Sequence, residues 1–372
     1  MAVVVLVGTA KGAAVLRSDE TRGRWSVDAL HLPGWIVTAA ARDDRGRYYA
    51  GVTSDVYGAA IVASDDLRSW RQLDHVPRYL PTDTGNAEHN RIIRASSARA
   101  FSEERRHVDQ IWKLHAPGDV LFAGVSEAGL FRSRDRGGSW EPLTALNEHP
   151  SRPNWIAGFG GLGAHAILVD ANTPSRMWVG ISAAGVFRSD DGGESWQRKD
   201  VGIRTSEGCC VHSLAHDPRD ADVIYRQDHH GMYLTVNGGD SWELIETGLP
   251  PGELSNGLIC AYGFASAFDP RTRTAFAVPL AGDNFRYPLE GRLRVYRTRN
   301  RGAGWEPNAR GLPDDCYANV LRGAMSIDHA DPCGVYLGTT AGNVYVSRDV
   351  GESWTALPVT LPKILTVAAF EV

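Results

Sequence analysis

The 372-residue chain lacks the features that mark several common protein classes. Cysteine is scarce: Cys209, Cys210, Cys260, Cys316 and Cys333 make an odd count with no CxxC pair. That argues against a disulfide framework and a structural zinc ribbon. No apolar run approaches the ~20 residues that cross a bilayer. The opening MAVVVLVGTAKG has no basic segment ahead of its short apolar run, so it reads as a strand and not as a signal peptide. An excess of positive charge is also missing. The formal net charge is −5 and the pI is near 6.2, which leaves no electrostatic footprint for nucleic acid or an anionic membrane. These absences predict a cytoplasmic protein with a small-molecule substrate, no nucleic-acid partner and no membrane partner. They leave the oligomeric state open.

What the chain does have is 40 glycines and 11 tryptophans, and one octapeptide that recurs. The pattern is Ser/Thr, any, Asp/Asn, any, Gly, any, any, Trp. Clean copies begin at Ser133, Ser189 and Ser347; Thr235 and Thr298 begin copies with Asn at the acidic place. The copy at Ser64 is one residue short, and the copy at Ser18 is the most eroded. The seven tryptophans are Trp25, Trp70, Trp140, Trp196, Trp242, Trp305 and Trp354. Asp or Asn can close a side-chain-to-backbone turn, and Gly supplies the positive φ that such a turn needs. Around each box, short alternating stretches separated by Gly and Pro read as strands. The expectation is an all-β, seven-bladed β-propeller, a single domain over 1–372. The first blade lacks its inner strand at the N-terminus, while ILTVAAFEV is left over at the C-terminus. The last strand is therefore expected to close the first blade, which removes exposed sheet edges. Long connections at 74–108 and 144–163 are expected as insert loops over one face.

The boxes resemble the Asp-box, or BNR, repeat of sialidase-like propellers, a repeat also found in bacterial xyloglucanases and photosystem II assembly factors. GTAKG, HPSRPNW, SAAGVFRSDDGGESW, CVHSLAHDP and GRLRVYRTRNRG are similar to segments of uncharacterised bacterial BNR-repeat proteins. The resemblance implies the fold and leaves the activity to be argued from the site. Sialidase activity itself is not expected. Its Arg-Ile-Pro motif is replaced by Arg91-Ile92-Ile93 within an insert, and Arg322 is the one convincing inner-strand arginine.

In propellers, ligands sit over the axis, among the entries to the inner strands and the turns joining second to third strands. Aligning the inner strands of the fourth and fifth blades on Asp170 and Asp217 puts His165 and His212 at the same place. The DHHG turn adds His229, and Gln110 takes the equivalent place on the third blade. Three imidazoles in a water-filled funnel form an open site for one transition metal, with zinc, copper or iron as the candidates. The leading expectation is thus a small-molecule enzyme, a metal-dependent hydrolase, lyase or oxidase with His165, His212 and His229 as ligands. Glu207, His149 and Lys11 are its candidate catalytic groups, and Trp155, Tyr57, Gln110 and Arg322 its candidate substrate contacts. Against this stands the plainer role of satisfied core histidines. Cys210, just before His212, is a conceivable nucleophile or soft ligand. Two alternatives remain. One is a metal-independent glycoside hydrolase with paired carboxylates, drawn from Asp55, Glu127, Glu207 and Asp228. The other is a non-catalytic propeller that docks protein partners.

Overall fold

A computed structural model describes residues 1–79, 106–158, 160–204 and 209–372. Seven four-stranded antiparallel sheets follow one another along the chain, one for each box. The second comprises Ile36–Arg42, Tyr48–Ser54, Gly58–Ser64 and Arg71–Gln72. The third comprises Ile111–His115, Leu121–Val125, Gly129–Ser133 and Glu141–Pro142. The fourth runs through Ala164–Val169, Met177–Ile181, Gly185–Ser189 and Gln197–Arg198. The fifth runs through Val211–Asp217, Asp220–Asp228, Gly231–Thr235 and Glu243–Leu244. The sixth and seventh begin at Gly263–Asp269 and Met325–Ile327. A small extra hairpin, Gly252–Glu253 with Ile259–Cys260, precedes the sixth. The fold is a seven-bladed β-propeller.

Closure of the first blade follows expectation. Ile364–Glu371 pairs antiparallel with Val3–Thr9, from Val3 opposite Glu371 to Thr9 opposite Ile364. Val3–Thr9 pairs in turn with Gly12–Ser18, and the short strand Trp25–Val27 lies outermost. Every residue of Val3–Thr9 is buried, so this strand has the near-continuous apolar character of one covered on both faces.

The box works as a local clasp. In the third blade, Ser133 Oγ donates to Asp135 Oδ1 at 2.7 Å and accepts from Gly137 N, while Asp135 Oδ1 accepts from Ser139 N. The same bonds recur at Ser189–Asp191, Thr235–Asn237, Thr298–Asn300 and Ser347–Asp349. Gly137 shows why the box needs glycine: its φ is +92°, and a Cβ there would come 2.4 Å from Leu73 Cδ1. The tryptophans of the last four boxes, Trp196, Trp242, Trp305 and Trp354, are buried. In the eroded copies Trp25 and Trp70 are only partly covered.

The chain packs as two compact units. One is Met1–Ala40, Asp200–Arg204 and His212–Val372; the other is Ala41–Lys199 and Thr205–Val211. The first has a core running through Val3, Val5, Val7, Phe276, Val295, Tyr336, Leu337 and Ile364. The second is built on Phe122, Leu130, Leu146, Trp155, Ile181 and Phe187. The connection 144–163 is shaped, as its composition predicts. It holds the short helix Thr144–Asn147, where Asn147 Oδ1 accepts from Leu130 N at 2.8 Å and Nδ2 donates to Leu130 O. Most of the 74–108 connection, together with Phe159 and Glu207, lies outside the described residues.

Candidate active site

One irregularity recurs near the start of the inner strands. Pairing with the neighbouring strand slips by one residue between Ile111 and Lys113, between Ala164 and Ala166, between Gly263 and Ser266, and where Thr9 meets Ile364. Each slip is a β-bulge, which bends the strand and re-aims the extra side chain. The second residue of the inner strand is Trp112, His165, His212, Phe264 or Leu365 in the third, fourth, fifth, sixth and first blades. The alignment of His165 with His212 therefore stands. Gln110 is a correction: it precedes the third blade's inner strand, and Trp112 holds the equivalent position. Gln110 stands two residues ahead of that position.

In the first unit, His212 and His229 come together. His212 is 1% exposed, and its Nδ1 lies 2.6 Å from the carbonyl oxygen of Gly263. A carbonyl only accepts, so Nδ1 carries the proton and Nε2 presents its lone pair. The His212 ring meets His229 edge-on at 5.4 Å, Tyr262 at 5.5 Å and Phe264 at 4.6 Å. His229 begins the turn between the second and third strands of its blade. Its Nε2 stands 3.5 Å from Asp283 Oδ2. Burial lowers the His229 pKa below the ordinary histidine value, and the neighbouring His230 adds to that, against the pull of Asp283. Burial pushes the Asp283 carboxyl up, but bonds from Ser255 N (2.8 Å) and Ser255 Oγ (2.7 Å), with His229, outweigh it and hold the pKa low. The site thus pairs a neutral imidazole with an ionised carboxylate.

A charged network fixes the turn from below. Arg226, fully buried, donates through Nε and Nη2 to Asp228 and through Nη1 to Asp200. Burial opposes ionisation of Asp228, but Arg226 and His230 prevail and keep its pKa low. Asp228 is 0% exposed and paired, so it holds the turn and is corrected out of the set of candidate catalytic carboxylates. Sequence reasoning missed Arg226, although its place two residues before Asp228 on the same strand was a usable signal: i and i+2 share a face.

The loop carrying Asp283 also builds an aromatic ledge. Phe285 is 62% exposed and packs 5.8 Å from Tyr287, which meets Tyr317 (70% exposed) at 5.4 Å. Between ledge and histidines, Arg322 and Arg286 lie over the Phe264 ring at 4.7 and 5.9 Å. Arg322 thus reaches Phe264 from the turn ahead of the seventh blade's inner strand Met325–Ile327, and not from the strand itself as its reading as an inner-strand arginine had it.

The remaining candidates have contacts of their own. His165, in the second unit, bonds through Nε2 to Ser182 Oγ at 2.9 Å, with its ring edge-on to Trp112. Cys210 Sγ approaches the same Ser182 Oγ at 3.9 Å. Trp155 is 3% exposed, bonded to Ser151 Oγ and packed on Phe187, so it serves the core and not a substrate. His149 stacks on Trp155 and shares Ser151 with it; burial lowers its pKa. Lys11 and Tyr57 are exposed turn residues, as is Asp55. The Glu127 carbonyl accepts from Arg152.

Comparisons with known proteins agree with this architecture. The BNR/Asp-box repeat family matches residues 187–198, in the fourth blade. The chain is 22% identical over 237 residues to an oligoxyloglucan-reducing end-specific xyloglucanase of Emericella nidulans, covering 63% of this chain and 23% of that enzyme. Against the GH74 xyloglucanase of Xanthomonas campestris the TM-score is 0.64 at 19% identity, over 95% of this chain and 52% of that one. Against YCF48 of Cyanidioschyzon merolae it is 0.52 at 13% identity, over 88% and 87% of the two chains. This chain therefore spans only about a quarter of the Emericella enzyme and half of the Xanthomonas one, and likeness at such identities speaks for the fold. Repeat, register and closure together make this chain a seven-bladed propeller of BNR/Asp-box repeats.

Proposed function

We propose that the protein is a metal-independent glycoside hydrolase that cleaves an oligosaccharide at the His229–Asp283 site. The observation that carries this reading is the aromatic ledge Phe285–Tyr287–Tyr317, whose first two rings belong to the loop that holds Asp283. Exposed rings offer flat apolar faces on which sugar rings stack, and Asp283 lies only two residues from the first of them. The names of the sequence relatives, xyloglucanases, favour this reading over the metal-dependent one.

The chemistry follows from the charges. Asp283, held ionised by Ser255, orients the imidazole through Nε2 and stabilises the imidazolium that forms. Neutral His229 accepts a proton from a water as that water attacks the anomeric carbon; the glycosidic C–O bond breaks, and the leaving oxygen takes its proton from solvent. Attack by activated water, with no covalent sugar on the protein, inverts the anomeric configuration. Arg286 and Arg322 line the approach and orient polar groups of the substrate.

A second reading rests on the His212–His229 pair. With Nδ1 occupied by the Gly263 carbonyl, His212 presents Nε2 as a metal-ligand tautomer. A zinc, copper or iron ion would then serve the hydrolysis. One experiment separates the readings. Purified protein is assayed for reducing-end release and anomeric outcome on xyloglucan-derived and other neutral oligosaccharides, with and without a chelator. The leading reading expects inverting hydrolysis that survives chelation. Loss of activity on chelation, restored by zinc, supports the second reading. Absence of hydrolysis across the panel overturns both.

A further inference from the structure

Among the described residues, one set of His, Cys, Asp and Glu side chains brings three ligand atoms together. Cys210, His212 and His229 each offer one, and the three atoms lie within 4.8 Å of one another. Two of them come from a single stretch, Cys210-Val211-His212, which leads into and begins the fifth blade's inner strand Val211–Asp217. The third stands at the head of the turn between that blade's second and third strands, Asp220–Asp228 and Gly231–Thr235. The site is therefore carried by one blade. Cys210 takes the third place, which the sequence alone assigns to His165.

A thiolate and two imidazoles are donors that suit zinc, at about 2.3 Å from sulfur and about 2.0–2.1 Å from nitrogen. Tetrahedral angles then put the donor atoms about 3.3–3.6 Å apart, at most about 1.5 Å closer than they stand here. His212 is buried, whereas Cys210 and His229 are half-buried, so two of the three side chains have room to swing and an ion has a way in. Each imidazole already has the partner that a ligating histidine keeps on its other nitrogen. His212 Nδ1 donates to the Gly263 carbonyl at 2.6 Å, which turns Nε2 to the ion. His229 Nε2 faces the Asp283 carboxylate at 3.5 Å, which turns Nδ1 to it. Three protein ligands leave the fourth tetrahedral position to a water.

We propose that Cys210, His212 and His229 form a zinc site, and that zinc bound there switches hydrolysis off. One Zn–S and two Zn–N bonds form. The only bond broken in the protein is the Cys210 S–H, whose proton goes to solvent, and the zinc remains divalent. The switch rests on the reading of His229 as the base. The Nδ1 lone pair that would accept the proton of the attacking water is the pair that the ion takes. Hydrolysis thus needs no metal, and this metal opposes it.

The test uses the whole folded chain, freed of metal, with cobalt(II) as a coloured stand-in for zinc. Cobalt bound to a thiolate shows a sulfur-to-metal charge-transfer band in the near ultraviolet. That band is expected to saturate at one cobalt per chain and to vanish when zinc displaces the cobalt. Cys210→Ser should abolish the band, and His229→Gln should weaken binding of both metals at least about tenfold. Should Cys210→Ser not fold by circular dichroism, the wild-type stoichiometry and His229→Gln still decide. For the switch, oligosaccharide hydrolysis with and without zinc is compared within each protein. Zinc is expected to slow the wild type about tenfold or more, and to leave Cys210→Ser little affected at the same concentration. No charge-transfer band, or a band that survives in Cys210→Ser, overturns the site. Bound zinc with undiminished hydrolysis overturns the switch alone. If no oligosaccharide is cleaved at all, the switch falls with the reading it rests on, and the cobalt spectrum still decides the site.

Discussion

The fourth and fifth blades place histidine at the same position, and they use it differently. His165 and His212 are each the second residue of an inner strand, and each meets the first residue of the turn between the second and third strands. In the fourth blade that partner is Ser182, a neutral hydroxyl at 2.9 Å. In the fifth it is His229, backed by the ionised Asp283 and seated on the buried Arg226–Asp228 pair. The scaffold supplies the position; the carboxylate supplies the chemistry. In the fourth blade the serine gives the imidazole one neutral partner, at Nε2. A histidine beside an anion, near exposed aromatic rings, can gain and lose a proton usefully.

The comparison can be sharpened first through stability, where the largest effect is expected. Arg226→Ala leaves Asp228 buried without its cation, a class of change that costs about 3–5 kcal/mol. The fourth-blade turn Ser182–Ala183–Ala184 has no comparable pair among the described residues, so Ser182→Ala should cost no more than about 1 kcal/mol. Urea denaturation of both variants measures the contrast, and similar losses would remove the asymmetry argued here. Next in size is catalysis. Removal of the base in His229→Ala should lower kcat by roughly 10²-fold or more, whereas His165→Ala should leave it within about threefold. Steady-state kinetics on a cleaved oligosaccharide decides this. A large loss in both variants would mean that the two histidines act together, as the metal reading requires.

The fold was legible because its determinants are local. Ser or Thr, Asp or Asn, and Gly of the regular boxes bond to one another within a few residues, so the boxes announced the blades. The orphan ILTVAAFEV could be assigned because a propeller with a missing inner strand has one vacancy. The site was legible only in part. His212 and His229 were found because both lie in motifs, CVHS and DHHG. Trp112 was missed because the third blade's inner strand ends at His115 without the aspartate on which the fourth and fifth align, and Gln110 was put in its place. Asp228 was read as a free carboxylate because nothing local reveals that Asp200, a long step away in the chain, shares Arg226 with it. The ledge was missed because Tyr317 reaches Tyr287 from a different blade.

Acidity gives a smaller, signed effect. Burial lowers the His229 pKa in the folded state, so the unfolded chain binds that proton at a higher pH than the folded chain does. Stability from this group is complete above the ordinary histidine value of 6.5 and is lost as pH falls through the folded value. For the same reason the acid limb of kcat/KM should fall below pH 6.5, and His229→Gln should flatten the stability dependence in that range. An acid limb centred above 6.5 would contradict a buried, neutral base. Smallest of all, Tyr317→Ala should raise KM about two- to tenfold and leave kcat unchanged, as removal of one stacking ring outside the reacting centre would. Saturation curves on a substrate long enough to reach the ledge measure it.

The most direct test of the central claim is oligosaccharide hydrolysis by wild type, Asp283→Asn and His165→Ala, each assayed with and without chelator. This account predicts a loss of roughly 10²-fold for Asp283→Asn, near-normal turnover for His165→Ala, and no effect of chelation on any of the three. Full activity in Asp283→Asn, or abolition of wild-type activity by the chelator, would contradict it.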